Sequence, residues 1–360
     1  MNHEYYMEEA IRLALKGKGR TLPNPMVGAV VVKDGKIVGR GYHRKAGTAH
    51  AEIAALDEAQ EKAKGAVLYV TLEPCAHFGR TPPCVNRVIK SGIKKVIVGM
   101  IDPNPVTNGK GINILKMHNI PVEVGCCGEK IKAINPEFIK FMTRRLPYVT
   151  VKVAQSLDGK IATRTGESKW ISSDKSRSYS HKLRNDFDAV MVGVNTVLRD
   201  NPQLDPWYSK KHPVKVIVDS KLSTPENANI FSRGKVIVVT LPVLPGQETE
   251  NRRKLSSKAV ILEVKEKNGQ VNLKDMMKKL AALEITTVLV EGGGTLIGSL
   301  FDEGLVDRVL FFISPKIIGG KEAISSVMGV GASRVDRAVA LTCPTVKHIG
   351  DDVLFDCRVK

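Results

Sequence analysis

Aromatic side chains are scarce in this chain, at 5% of its residues, and no arginine-rich arm or basic tail accompanies them. With that shortage no stacking platform of the kind by which proteins hold single-stranded nucleic acid is apparent, although the chain carries 55 Lys and Arg against 37 Asp and Glu, a net charge of +18. The excess is spread, with 23 basic and 13 acidic side chains in residues 1–145 and 32 and 24 in the remainder. It reads as a solvated surface with some phosphate-binding sites and no nucleic-acid partner. No run of about 18 apolar residues is present to span a bilayer. The opening MNHEYYMEEAIRLALKGKG sets apolar residues at helical spacing among charges, as a packed helix does and a signal peptide does not. Cysteine is sparse too, six in all, without the density of a secreted disulfide framework. Cys126-Cys127 ends an expected strand (PVEVGCC) as small core-edge residues, and Cys343 and Cys357 lack metal-ligand spacing. The expectation is a cytoplasmic chain whose 360 residues, 42% hydrophobic, divide into two domains.

Against these absences stands one ordered set: His50-Ala51-Glu52, then Pro74-Cys75, then Cys84. One His and two Cys thiolates can hold Zn²⁺ and leave a fourth tetrahedral position for water, and a Glu two residues past the His can move protons without being a ligand. Any one of these residues alone would be an ordinary helical histidine or core cysteine; the set in this order is a catalytic metal centre. Eight residues (AHFGRTPP) separate the cysteines, where many zinc deaminases have two. The pattern predicts a helix over HAEIAALDEAQEKA with His50 and Glu52 in its first turn, a buried strand over AVLYVTL, and a second helix starting at Cys84. Thiolates near helix N-termini are favoured by the macrodipole.

Residues 1–145 alternate helices and strands throughout: a first helix, the hairpin VGAVVVKDGKIVGRGYH, the HAE helix, AVLYVTL, the Cys84 helix, KKVIVGM, a helix near Gly111–His118, PVEV, and a last helix ending near Arg145. This is a layered α/β domain with its site at strand ends. Arg144-Arg145-Leu146-Pro147 breaks the pattern, and the boundary is placed there, giving domains 1–145 and 146–360. In the second, DAVMVGVNTVL, VKVIVD, KVIVVT, AVILEV, TTVLVEGGG and DRVLFFISPKIIGG are strand-like, and no zinc ligands occur. TTVLVEGGGTLIGSLFDEG reads as strand, glycine turn and helix, a phosphate-binding form or simply a tight turn. It is not a G-x-G-x-x-G fingerprint, since Ile297 occupies the third position.

Together NPMVGAVVVKDG, HAE, TLEPCAHFGRTPPC and DPNP in the first half, and KVAQSLDGKIAT, SKWIS, VGVNTVLRDNPQL and VEGGGTLIGSL in the second, resemble the bifunctional diaminohydroxyphosphoribosylaminopyrimidine deaminase and 5-amino-6-(5-phosphoribosylamino)uracil reductase of riboflavin biosynthesis. The resemblance runs nearly end to end. It implies a cytidine-deaminase-like, three-layer α/β/α N-terminal domain and a dihydrofolate-reductase-like α/β C-terminal domain. The first would deaminate a pyrimidine ribosyl phosphate with one Zn²⁺ on His50, Cys75 and Cys84 and Glu52 as proton carrier; the second would reduce the ribose to a ribityl chain with NADPH, the cofactor carrying the hydride. By matching positions, Asn24, His43, His77, Arg80, Asp102 and Asn104 would line the deaminase substrate site. NADPH would lie against Ala154, Trp170, Thr196, Asp200 and the turn Gly293, Gly294, Thr295, Leu296, Ile297, Gly298 and Ser299. The reductase substrate would lie near Ser168, Arg184, Leu204 and Glu291. Lys152 and Asp158 are candidates for proton transfer during ring opening, a surface Lys and a turn Asp being the plainer reading. A homo-oligomer, dimer or tetramer, is also implied.

One departure stands out. The family commonly continues N-P-x-L with Thr-x-Arg, the Arg on the substrate phosphate; here Asp205-Pro206-Trp207 follows Leu204. Either phosphate recognition has moved to another basic residue such as Lys210 or Lys211, or the reductase is weakened and the second domain serves mainly assembly. Two readings compete with the bifunctional enzyme. A zinc deaminase acting on RNA would bind RNA in a strongly salt-dependent way, and a zinc-stabilised scaffold would have no use for Glu52.

Overall fold

The computed structural model describes residues 2–76, 82–207, 212–243, 249–342 and 344–360. The chain divides into two compact units, Met1–Arg145 and Leu146–Lys360.

In the first unit α1 (His3–Ala14) leads into the hairpin β1 (Gly28–Lys33) and β2 (Lys36–Tyr42). Then come α2 (Ala51–Ala59), β3 (Val67–Leu72), α3 (Cys84–Lys90), β4 (Lys95–Met100), α4 (Lys110–Met117), β5 (Val122–Val124), α5 (Gly128–Ile134) and α6 (Pro136–Arg144). One sheet results, ordered β2-β1-β3-β4-β5, antiparallel from β2 to β3 and parallel from β3 to β5. Alternation along a strand sends neighbouring side chains to opposite faces. A Cβ at Gly28 would meet α1 at Ala10, whereas a Cβ at Gly41, paired with Ala29, would meet α2 at Ala51. The two helices therefore cover opposite faces, and the unit is a three-layer α/β/α sandwich. β3, with every residue buried, is its central strand and runs straight to Cys75.

Two expectations shift. His50 is the N-cap of α2 in extended backbone, φ −71° and ψ 163°, not part of its first turn. The single last helix is two, because Pro136 cannot continue α5 and starts α6.

The second unit begins with β6 (Tyr148–Ser156) and β7 (Lys160–Ala162), then α7 (Asp174–Leu183), β8 (Ala189–Gly193), α8 (Val194–Asp200), β9 (Val214–Val218), β10 (Val236–Thr240), α9 (Glu250–Ser256) and β11 (Val260–Glu263). The short hairpin β12 (Glu266–Lys267) and β13 (Gln270–Val271) precedes α10 (Leu273–Ala282), β14 (Thr287–Glu291), α11 (Gly294–Asp302), β15 (Arg308–Ser314), β16 (Ile324–Ser325), β17 (Thr345–Ile349) and β18 (Asp352–Arg358). Nine strands form one sheet in the order β11-β10-β9-β8-β14-β6-β15-β18-β17. It is parallel from β11 to β15, and β18 and β17 add antiparallel. Ala189 and Met191 enter one apolar cluster and Val190 and Val192 another, so the sheet is buried on both faces, as parallel sheets require. The stretch expected as one strand, DAVMVGVNTVL, turns at Gly193 from β8 into α8. No described helix is long and apolar enough to cross a membrane.

Candidate active sites

One strand end and two helix starts bring the metal set together. His50 precedes α2, Cys75 follows β3, and Cys84 opens α3. His50 Nδ1 lies 3.1 Å from Cys84 Sγ and 3.5 Å from Cys75 Sγ, and the Cys84 N–H points at Cys75 Sγ at 3.4 Å. All three ligand atoms fall within 4.8 Å of one another. A tetrahedral zinc with its usual Zn–S and Zn–N bonds places ligand atoms roughly 3.5–3.8 Å apart, so this soft nitrogen and sulfur set fits the ion. Hydrogen bonding from the Cys84 thiol, and then from His50 and the Cys84 N–H, pulls the Cys75 thiol down against the opposing effect of burial. The same thiol contact and burial push Cys84 up.

Glu52 sits in the first turn of α2, 3% exposed. Burial drives its carboxyl up to about 7, with His50 opposing and Cys75 reinforcing, the poise of a general acid–base near neutral pH. His43 is buried, its Nδ1 3.3 Å from the Ala49 carbonyl and its Nε2 3.2 Å from Asn24 Nδ2, with its ring edge-on to His50 at 5.5 Å. Burial lowers its pKa, so it is a neutral hydrogen-bonding ring. Asn24, His43, Asp102 and Asn104 all line one cavity of about 360 Å³ with His50, Glu52 and Cys75. His77 and Arg80 lie outside the described residues. Phe138 and Met142 of α6 and Glu73 also line the cavity. The two α6 residues carry no sequence signal, since they arrive by long-range packing; Glu73 stood in the TLEPC motif beside a ligand.

In the second unit Arg184 forks onto Glu291, Nε to Oε1 at 2.7 Å and Nη2 to Oε2 at 3.0 Å, both side chains nearly buried. Burial favours the neutral acid at Glu291, but the Arg184 charge and hydrogen bonds outweigh it and hold the carboxyl at about 2. Lys152, paired with Glu291 across β6 and β14, places Nζ 5.5 Å from the centre of the Phe312 ring. Burial lowers its pKa, against the attraction of Glu291. Asp158 accepts from Ser156 Oγ at 2.6 Å, Gly319 N at 2.7 Å and Ile318 N at 3.1 Å, and these bonds hold it down at about 2. These bonds tie it to the 318–319 segment.

The glycine turn divides by role. Gly292 and Gly293 have φ +74° and +76°, and a Cβ on either would meet the Thr196 side chain at 3.3–3.4 Å. Gly293 and the exposed Thr295 leave the start of α11 open to an anionic group. Leu296 and Ile297 instead pack in the core, and a Cβ at Gly294 or Gly298 would collide with Ser325 O or Met328 O, so these side-chain positions serve packing. Ser299 is half-buried. Ser168 Oγ reaches Asp200 at 3.5 Å. Trp170 is 61% exposed with the Arg177 guanidinium 4.4 Å from its ring centre. Ala154 packs on an apolar cluster of the sheet, and Leu204 is a core side chain of that cluster at φ +58°.

The Asp205-Pro206-Trp207 departure is built into the structure. Asp205 Oδ2 pairs at 3.0 Å with Lys215, a fully buried lysine whose Nζ also donates to the Ile230 and Arg233 carbonyls. The Asp205 carbonyl accepts from Arg184 Nη1 at 3.1 Å, and the Trp207 ring stacks on His181 at 3.8 Å. Lys210 and Lys211 lie outside the described residues.

Comparison with known proteins follows the same division. Residues 1–100 match the model of the cytidine and deoxycytidylate deaminase zinc-binding region, and residues 147–355 match that of the RibD C-terminal domain. The riboflavin biosynthesis protein RibD of Aquifex aeolicus is 46% identical over 353 residues, 97% of this chain and 96% of that one. A solved Acinetobacter baumannii RibD superposes with a TM-score of 0.88 at 35% identity, covering 99% of each chain. A Thermotoga maritima diaminohydroxyphosphoribosylaminopyrimidine deaminase/5-amino-6-(5-phosphoribosylamino)uracil reductase does so with 0.83 at 37%, again over 99% of each.

Proposed function

We infer the residue roles below from one premise: the chain belongs to the RibD family of riboflavin biosynthesis proteins, with a cytidine-deaminase-like domain and a dihydrofolate-reductase-like domain. It is an enzyme of two consecutive steps. It deaminates 2,5-diamino-6-(5-phosphoribosylamino)pyrimidin-4(3H)-one by hydrolysis, then reduces the ribosyl group of 5-amino-6-(5-phosphoribosylamino)uracil to ribityl, with zinc and NADPH as cofactors. We assign the deaminase to residues 1–145 and the reductase to 146–360.

The observation that carries the deaminase assignment is a buried carboxyl beside a convergent N, S, S donor set at the wall of one cavity. His50, Cys75 and Cys84 would hold zinc, which when bound supplies the Lewis acidity that makes water nucleophilic at neutral pH. Glu52 takes the attacking water's proton on its carboxylate and returns it to the ring nitrogen and the departing amine. Glu52 lines the same cavity as His50 and Cys75, which places one carboxylate beside both transfers. Asn24 and the neutral His43 hold one edge of the pyrimidine, and Asp102 and Asn104 line the same cavity.

For the second step NADPH supplies the hydride, and the protein supplies orientation. Thr196 and the Gly293 turn hold its phosphate end, and Asp200 and Trp170 lie against the rest of it. Glu291 and Arg184 fix each other and so present a rigid polar pair to the ribose. Lys152, next to them with its ammonium disfavoured by burial, holds a proton at Nζ that it can release to the opening sugar ring. The partners are small molecules; we further propose a cytoplasmic homo-oligomer without a nucleic-acid partner.

The test is one reaction with both signals recorded. Zinc-loaded enzyme given the diaminopyrimidinone ribosyl phosphate and NADPH should release ammonia and then oxidise NADPH. Glu52→Ala should retain zinc yet lose both, by roughly 10²-fold or more in rate. Ammonia without NADPH loss would leave the reductase assignment unsupported.

A further inference from the structure

Next to Cys75 lies a buried carboxylate that the mechanism above does not use. Glu73 is 3% exposed, and its two oxygens accept four backbone N–H groups. Oε2 takes Asp102 N at 3.1 Å and Gly109 N at 2.9 Å, and Oε1 takes Gly111 N at 2.9 Å and Ile112 N at 3.3 Å. The donors come from both ends of the 102–109 loop and from the first turn of α4. The loop is further tied within itself, Asp102 Oδ1 to Asn104 N at 2.9 Å and Asp102 O to Asn108 Nδ2 at 3.2 Å.

Close packing pins the same joint a second way. A Cβ on Gly111 would stand 2.0 Å from the Pro74 carbonyl oxygen, so the start of α4 lies directly on the peptide leading into Cys75. The Glu73 N–H in turn reaches Met100 O at 3.0 Å. One side chain therefore joins the segment carrying a metal ligand to the loop carrying Asp102 and Asn104, two walls of a single cavity.

We propose that Glu73 is the positioning residue of the deaminase site: its four-fold N–H acceptance sets where Asp102 and Asn104 stand relative to the Cys75 side of the cavity, and hence how tightly the pyrimidine ribosyl phosphate is held. This rests on the deaminase reading above. Only a group with two acceptor oxygens and no donor satisfies all four N–H groups; an amide turns an N–H of its own toward two of them. Glu73 is not one of the metal set, and both its oxygens are taken by backbone N–H groups, so its loss acts through the loop, on substrate affinity ahead of the chemical step.

The experiment uses the full-length, zinc-loaded chain and Glu73→Gln, with zinc per chain, KM and kcat for ammonia release, and NADPH-dependent reduction of separately supplied 5-amino-6-(5-phosphoribosylamino)uracil. The expected result is KM for deamination raised roughly ten- to hundredfold, with kcat within a few-fold, zinc retained and the reductase step unchanged. KM unchanged in the zinc-loaded fraction, or a loss explained wholly by lost zinc, would overturn the proposal and leave Glu73 a merely structural group. Should Glu73→Gln fail to fold, shown by loss of the reductase step as well, Glu73→Asp is read by the same criteria, since it keeps both acceptors but withdraws them by one methylene. Wild-type enzyme that reduces the uracil substrate but releases no ammonia would instead remove the deaminase reading, and this inference with it.

Discussion

At the scale of single residues, the buried pair of Arg184 and Glu291 makes a statement about stability as well as about the site. An ordinary glutamate titrates near 4.3, and in the fold Glu291 is held at about 2, burial being overridden by the Arg184 charge. A depressed folded pKa means that the unfolded chain binds the extra proton first as pH falls. The pair's contribution is therefore complete above about pH 4.5 and is lost as the pH drops toward 2, on the order of 3 kcal/mol across that window. Acid unfolding of the reductase half followed by circular dichroism should show it. Glu291→Gln should be less stable than wild type at pH 7, by up to several kcal/mol because Arg184 is left buried and unpaired, and the difference should shrink below pH 4. A gap between the two proteins that is constant with pH would refute the assignment. Residues of this kind were only half legible. The family resemblance implies Glu291 and Arg184 as site positions, but that each is the other's main partner depends on β14 and the end of α7 meeting in space. The 205–207 departure is a second case: Trp207 stands where the family has its Arg, and the acidic Asp205 nearby finds its counterion in Lys215, a core residue of β9 with nothing in the chain to mark it.

At the scale of elements, the metal centre depends on how closely α2 can approach the sheet. Gly39 and Gly41 of β2 let it down: a Cβ on Gly41 would lie 2.1 Å from Ala51 O, and one on Gly39 would lie 2.2 Å from Ala55 O. Ala51, Ala55 and Ala59 form the matching small face of the helix. Because His50 is the N-cap of that helix and Glu52 its second residue, any lift of α2 moves a ligand and the proton carrier together. Gly41→Ala should therefore lower zinc content well below one per chain and cost about 1–3 kcal/mol or more of stability, checked by metal analysis and thermal melting. Full zinc occupancy with unchanged melting would show that α2 is not held as described. The order of helices and strands in the first unit is readable from periodicity, whereas the break at Pro136 and the turn from β8 into α8 at Gly193 are not. Apolar runs such as DAVMVGVNTVL fit a buried strand or a buried helix equally well, and only the sheet's depth decides where the strand must end.

At the scale of the whole molecule, the two chemistries reside in separate units. His50, Cys75, Cys84 and Glu52 fall within Met1–Arg145, and Lys152, Arg184, Glu291 and the Gly293 turn within Leu146–Lys360. Stripping zinc with a chelator should accordingly abolish ammonia release while leaving reduction of supplied 5-amino-6-(5-phosphoribosylamino)uracil within about twofold, since catalytic zinc acts only where its ligands are. Parallel loss of both activities would show that the metal also supports the second unit. What the amino-acid order determined by itself is the chemistry and the division into units: zinc deamination needs one His, two thiolates and a carboxylate in a short, ordered pattern, and few other sequences satisfy it. Only the tertiary structure decided which side chains wall the cavity, that Glu73 braces it, that Asp158 is spent on backbone N–H groups, and that Asp205 has a buried partner. Those facts rest on contacts between segments distant in the chain, and such contacts leave no local spacing or composition to read.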